Sequence, residues 1–290
     1  MPSFLADRVR RYPLFAFFAL AFGLTWANWV PRALVSRGLL EGKVPDFMFL
    51  ISGYGPALAA VILTGFLAGM PGLKQLGSRL VRWRVGVQWY AFALFLPAFQ
   101  VLAALGLHLL FGGEIHKPAE VPVWHIGPPG TPLWLVALLS LLMFTLGFDG
   151  LGEELGWRGF ALPRLLVRHS ALVASLLLGV WWALWHLPFA LTLGSAMADS
   201  PLYVHLSRIV AASIMVTWLF NHTRQSILLA ILLHAAGNVT FCILPMVIPG
   251  VYGSGIWGWI VPWIVVAALV VIEGPAHLSR KFPLNADEAA

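Results

Sequence analysis

Apolar residues fall in eight long blocks along this chain, each parted from the next by a short stretch carrying Gly, Pro and most of the charged residues. A helix crossing the ~30 Å hydrocarbon core of a bilayer needs ~20 mostly apolar residues. The blocks predict spans at Tyr12–Val30, Phe47–Gly69, Gln88–Phe111, Leu133–Asp149, Ala171–Leu193, Leu202–Phe220, Ser226–Leu244 and Gly255–Ile272. The fourth is short and is expected to run on into the charged segment after it. The first follows Arg8, Arg10 and Arg11, as the core of a signal peptide would. It reaches Trp29 with no convincing small-x-small cleavage site and so reads as a retained span. The expected fold class is all-α: a polytopic transmembrane helical bundle of eight spans, one integral membrane domain over residues 1–290.

Composition agrees with a bilayer as the solvent. Hydrophobic residues make up 60% of the chain and charged ones only 10%, with a mean hydropathy of +0.85. A soluble domain carries about 25% charged residues, so this chain lacks the polar surface to cover a water-soluble globule. Its 14 Trp and 19 Phe suit aromatic belts at the membrane interfaces. The net charge of +6 belongs to loops rather than to a nucleic-acid surface, and no nucleic-acid partner is expected. With the N-terminus inside, the cytoplasmic segments hold thirteen basic residues: Arg8, Arg10, Arg11, Lys74, Arg79, Arg82, Arg84, Arg158, Arg164, Arg168, Arg224, Arg280 and Lys281. The opposite side holds five: Arg32, Arg37, Lys43, Lys117 and Arg208. That bias places both termini in the cytoplasm of a cell membrane, in the style of a bacterial inner-membrane protein. The lone Cys242 excludes a disulfide framework and reads as a small core hydrophobe. His116 and His125, in the Pro- and Gly-rich loop 112–132, read as ordinary loop histidines.

Ionisable groups inside a bilayer are costly and mark function by default. Three groups of them interrupt the apolar pattern. In Glu153-Glu154-Leu155-Gly156-Trp157-Arg158, Glu154 and Arg158 stand four apart on one helical face and can pair. Glu153 is rotated about 100° from Glu154 and is left to face a cavity as the reactive carboxylate. His186 lies among Trp181, Trp182 and Trp185 in the fifth span. His234 and Asn238 are four apart in the seventh, separated by small residues that admit a neighbouring helix or a substrate backbone. Hydrolysis can use such a set. A carboxylate accepts a proton from water, a histidine positions that water or binds a metal, and a His–Asn pair donates to an oxyanion. Neither G-x-S-x-G nor H-E-x-x-H occurs, so serine-hydrolase and conventional zincin chemistry have no support.

These motifs resemble those of the CAAX protease and bacteriocin-processing family, which includes the type 2 CAAX prenyl proteases. Its members carry E-E-x-x-x-R, F-x-x-x-H and H-x-x-x-N on successive helices. Here the first is Glu153 to Arg158 and the third His234 to Asn238, while the second ends at His186 but begins with Trp182 in place of Phe. The resemblance covers residues 144–240, read as the catalytic core. It implies an eight-helix bundle whose cavity opens toward the cytoplasm and the membrane, and an intramembrane endopeptidase. In that reading Glu153, assisted by His186, activates the water; His234 and Asn238 stabilise the oxyanion; Glu154 and Arg158 orient the site. A Zn²⁺ ion held by Glu153 or Glu154 with His186 and His234 is the alternative, and no cofactor is fixed by the sequence. The substrate implied is a membrane-associated peptide or protein: a prenylated tail, a bacteriocin leader or a membrane-protein segment. The non-enzymatic alternative is an immunity, scaffold or transport protein using the same cavity. The completeness of the six-residue set and the lack of an internal repeat weigh against it.

Overall fold

The computed structural model describes residues 2–115, 130–147, 149–195, 197–198, 201–248, 251 and 255–279. The loop histidines His116 and His125, and Lys117, Arg280 and Lys281 of the charge pattern, lie outside the described residues. Helices account for the architecture, and no strand occurs among the described residues. A short helix α1 (Pro2–Arg11) leads into α2 (Pro13–Ser36), followed by α3 (Asp46–Ser52), α4 (Gly55–Leu80) and α5 (Val87–Leu110). The fourth span is built from α6 (Leu133–Leu146), α7 (Gly150–Gly156), a π-helical turn (Trp157–Ala161) and α8 (Leu162–Leu166). Then come α9 (Ala171–Trp185), α10 (Leu187–Ala190), α11 (Leu202–His222), α12 (Ile227–Val247) and α13 (Trp257–Glu273).

All eight apolar blocks are helical. Among the described residues six runs are long and apolar enough to cross a bilayer, and α9 and α13 are shorter apolar helices of 15 and 17 residues. The chain is a multi-pass membrane protein. Two sequence expectations need correction, for the second and the fifth spans. The second span is not one helix over Phe47–Gly69. Helix α3 ends at Ser52, α4 starts afresh with Pro56 in its first turn, and it continues to Leu80. Within α4 the helix breaks at Gly69, whose φ of 59° is open to a residue without Cβ, just ahead of Pro71. The fourth span runs on into its charged segment as expected, to Leu166, although the chain turns extended at Gly147 and restarts at Gly150. The fifth ends at Trp185, with Pro188 two residues beyond the C-cap His186, so His186 sits at a helix break rather than inside a helix.

Two buried clusters organise the bundle. One joins Phe17, Phe18 and Trp29 of α2 to Trp157, Phe160, Trp182 and Trp185. The other joins residues of α11 and α12 to Ala93 of α5 and Val266 of α13. Helices α7, α9 and α12 meet between them. At one end of the bundle Arg82 donates to the Arg224 carbonyl and Arg224 to that of Arg84, while Ser226 Oγ donates to the Arg82 carbonyl at 2.7 Å. At the other end Arg32 pairs with Asp46 at 2.5 Å and Arg37 Nε donates to the Leu191 carbonyl at 2.6 Å. This second contact ties the end of α2 to the segment that follows His186.

Candidate active site

Close helix approach is what puts the carboxylates in place. Helix α7 lies on the start of α4, and a Cβ at Gly156 would stand 2.5 Å from backbone atoms of Pro56. Gly156→Ala is therefore expected to push α7 off α4 at a cost of about 1–3 kcal/mol, the usual range for overpacking. Thermal unfolding in detergent measures it, and an unchanged midpoint would contradict the fit.

The sequence pattern places the acidic motif at the cytoplasmic end of its span, but the structure buries it. The π-helical turn and α8 carry the chain twelve residues past Glu154, about 18 Å at 1.5 Å per residue. Glu153 is 2% exposed, and Glu154 and Arg158 are fully buried. Arg158, counted above with the basic loops, is thus an interior group. Its Nη1 lies 3.0 Å from each carboxylate oxygen of Glu154, the pairing its four-residue spacing predicts. Its guanidinium carbon stands 4.4 Å from the centre of the Trp182 ring, a cation–π contact.

The three motifs meet. His234 Nδ1 lies 2.8 Å from Glu154 Oε1, which joins α12 to α7 across eighty residues of sequence. Trp182 Nε1 donates to Glu153 Oε2 at 2.5 Å, and Trp157 Nε1 donates to the same oxygen at 3.3 Å. His186 Nδ1 lies 3.0 Å from the Trp182 carbonyl. A carbonyl only accepts, so Nδ1 carries the proton and a neutral ring presents Nε2 as its basic nitrogen. That Nε2 faces Glu153 Oε1 at 3.9 Å. The rings of Trp29 and Trp185 wall His186, at centroid distances of 6.1 and 4.8 Å. Asn238, one turn beyond His234 on α12, is half-buried, and its side chain makes no hydrogen bond to the described residues.

Two features escaped the sequence reading. The indole N–H groups of Trp157 and Trp182 are polar partners of Glu153, although tryptophans in an apolar run read as packing and anchors. Asp149 is a third carboxylate, one turn before Glu153 at the start of α7, where its charge had only marked the end of a span. The zinc alternative fits poorly. It needs three donors converging at ~2.0–2.2 Å from the ion. Among the described residues no three His, Cys, Asp or Glu side chains are so disposed.

Comparison with known proteins bears on the segment that carries the three motifs. The family model described as type II CAAX prenyl endopeptidase Rce1-like matches residues 132–240, an interval holding all three motifs. CAAX prenyl protease 2 of Methanococcus maripaludis is 26% identical over 230 residues, 77% of this chain and 82% of that protein. Over residues 132–240 this chain is similar to the Rce1-like type II CAAX prenyl endopeptidases, a likeness that points to an intramembrane protease.

Proposed function

We propose that the chain hydrolyses a peptide bond in a membrane-associated substrate by direct attack of water, with Glu153 as general base. The observation that carries this reading is the facing of Glu153 Oε1 and His186 Nε2 at 3.9 Å, a spacing that lets both atoms hold one water. Glu153 takes the proton as the water oxygen bonds to the scissile carbonyl carbon. The same proton then passes to the leaving amine as the C–N bond breaks. His234, oriented by Glu154, and the free amide of Asn238 donate to the oxyanion, which is where preorganised donors are worth most. Arg158 holds Glu154 and rests on Trp182. Residues 144–240 form the catalytic core of the one membrane domain.

The substrate class is a lipid-modified C-terminal tail reaching the site from the cytoplasmic side, with both termini of the protease on that side. The name of the Methanococcus relative and the depth of the buried carboxylates support it. The test uses purified protein in proteoliposomes with a farnesylated peptide carrying a fluorophore and a quencher on either side of its tail. Cleavage of this peptide, at rates well above those for the same peptide without the lipid, is expected. Equal cleavage of both would remove lipid recognition from the account. Activity is also expected to persist after dialysis against a zinc chelator, with zinc well below one atom per chain by elemental analysis. Stoichiometric zinc whose removal abolishes cleavage would overturn the metal-free scheme.

A further inference from the structure

We propose that Trp182 is a positioning residue that selects which oxygen of Glu153 acts as the base. The inference rests on the reading of Glu153 as that base. A carboxylate group turns about its last carbon–carbon bond, so its two oxygens exchange unless one is held. Oε2 is held by the indole N–H of Trp182 at 2.5 Å and that of Trp157 at 3.3 Å. Oε1 takes no hydrogen bond from the described residues and is the oxygen that faces His186. The indole N–H is a donor only, and it does not titrate. It therefore fixes the carboxylate without supplying the proton that would disable it, as a lysine or histidine in its place could.

Trp182 also governs the other half of the pair. Its main-chain carbonyl accepts from His186 Nδ1 at 3.0 Å, which leaves Nε2 unprotonated and turned to Glu153. One residue of α9 thus sets the reactive oxygen through its side chain and the histidine tautomer through its backbone. The indole is pinned in turn by the Arg158 guanidinium at 4.4 Å and by edge contact with the His234 ring at 5.4 Å. The fully buried Glu154–Arg158 pair consequently acts on Glu153 through the Trp182 ring. A phenylalanine at this position keeps the ring under Arg158 and loses only the N–H.

Trp182→Phe isolates that atom. In proteoliposomes with the farnesylated peptide, kcat is expected to fall about tenfold, the lower end of the range for losing a hydrogen bond to a charged group. KM and the unfolding midpoint are expected to hold. In protein labelled with ¹⁵N-tryptophan, the indole resonance missing from Trp182→Phe belongs to Trp182, and it is expected to shift in Glu153→Gln. A resonance indifferent to Glu153→Gln would overturn the proposal, as would an unchanged kcat in Trp182→Phe. Should Trp182→Phe not fold, benzothienylalanine at position 182 replaces the N–H by sulfur at nearly constant shape, and the same fall in kcat is expected. Turnover surviving Glu153→Gln would remove the base itself. An unaffected Trp182→Phe beside an inactive Glu153→Gln would remove only the positioning role.

Discussion

Glu153→Gln is expected to lower kcat by about 10²–10⁴-fold, the contribution of a positioned general base, while the protein stays folded. The substitution is nearly isosteric. Its amide oxygen can take the place of Oε2 and accept from both indoles, at 2.5 and 3.3 Å. Its amide nitrogen then faces the basic Nε2 of His186 across 3.9 Å, the space assigned above to the water. The two indole N–H groups keep their acceptor, so the cost of leaving them unsatisfied does not arise. Only the capacity to take a proton from water is lost. A fall in activity accompanied by unfolding would show that Glu153 is structural, whereas a folded, inactive variant separates chemistry from scaffold.

Arg158→Ala is expected to do the opposite and act through stability. Removing one partner of a buried ion pair leaves an uncompensated charge and costs about 3–5 kcal/mol. Arg158 is fully buried, stands 3.0 Å from both oxygens of Glu154 and lies over Trp182, so its loss also removes packing. His234 remains on Glu154 at 2.8 Å and can offset part of the charge. That places the expected cost toward the lower end of the range. Arg158→Lys is expected to recover only part of it, because an ammonium can approach Glu154 but cannot lie flat on the Trp182 indole. Unfolding midpoints in detergent measure both variants. A midpoint for Arg158→Ala equal to that of the parent protein would deny the pair its structural role.

Much of this architecture was legible in the sequence, because a bilayer imposes length and apolarity on every span. Eight apolar blocks became eight helical regions. Spacing within a single helix was equally readable: Glu154 pairs with Arg158, and Glu153 turns away from Glu154 toward His186. What spacing cannot express is contact between helices. The hydrogen bond from Trp182 to Glu153 crosses 29 residues, and that from His234 to Glu154 crosses 80. A tryptophan in an apolar run carries no mark that its N–H is engaged.

Breaks within spans were hidden for a related reason. Gly147, Gly69 and the turn at His186 interrupt helices without interrupting apolarity, and apolarity is what locates a span. The same limit put the acidic motif at a membrane interface. Its charges read as the end of a span, although the π-helical turn and α8 continue beyond them and enclose them.

The most direct test of the central claim compares new peptide termini in membranes of cells expressing the parent chain or Glu153→Gln at equal levels. Glu153-dependent termini, on proteins held at the membrane and absent from the Glu153→Gln sample, are the predicted result, and they name the substrates as well. Identical termini in both samples, in a host whose membrane proteins the purified parent chain cleaves, would contradict hydrolysis by Glu153.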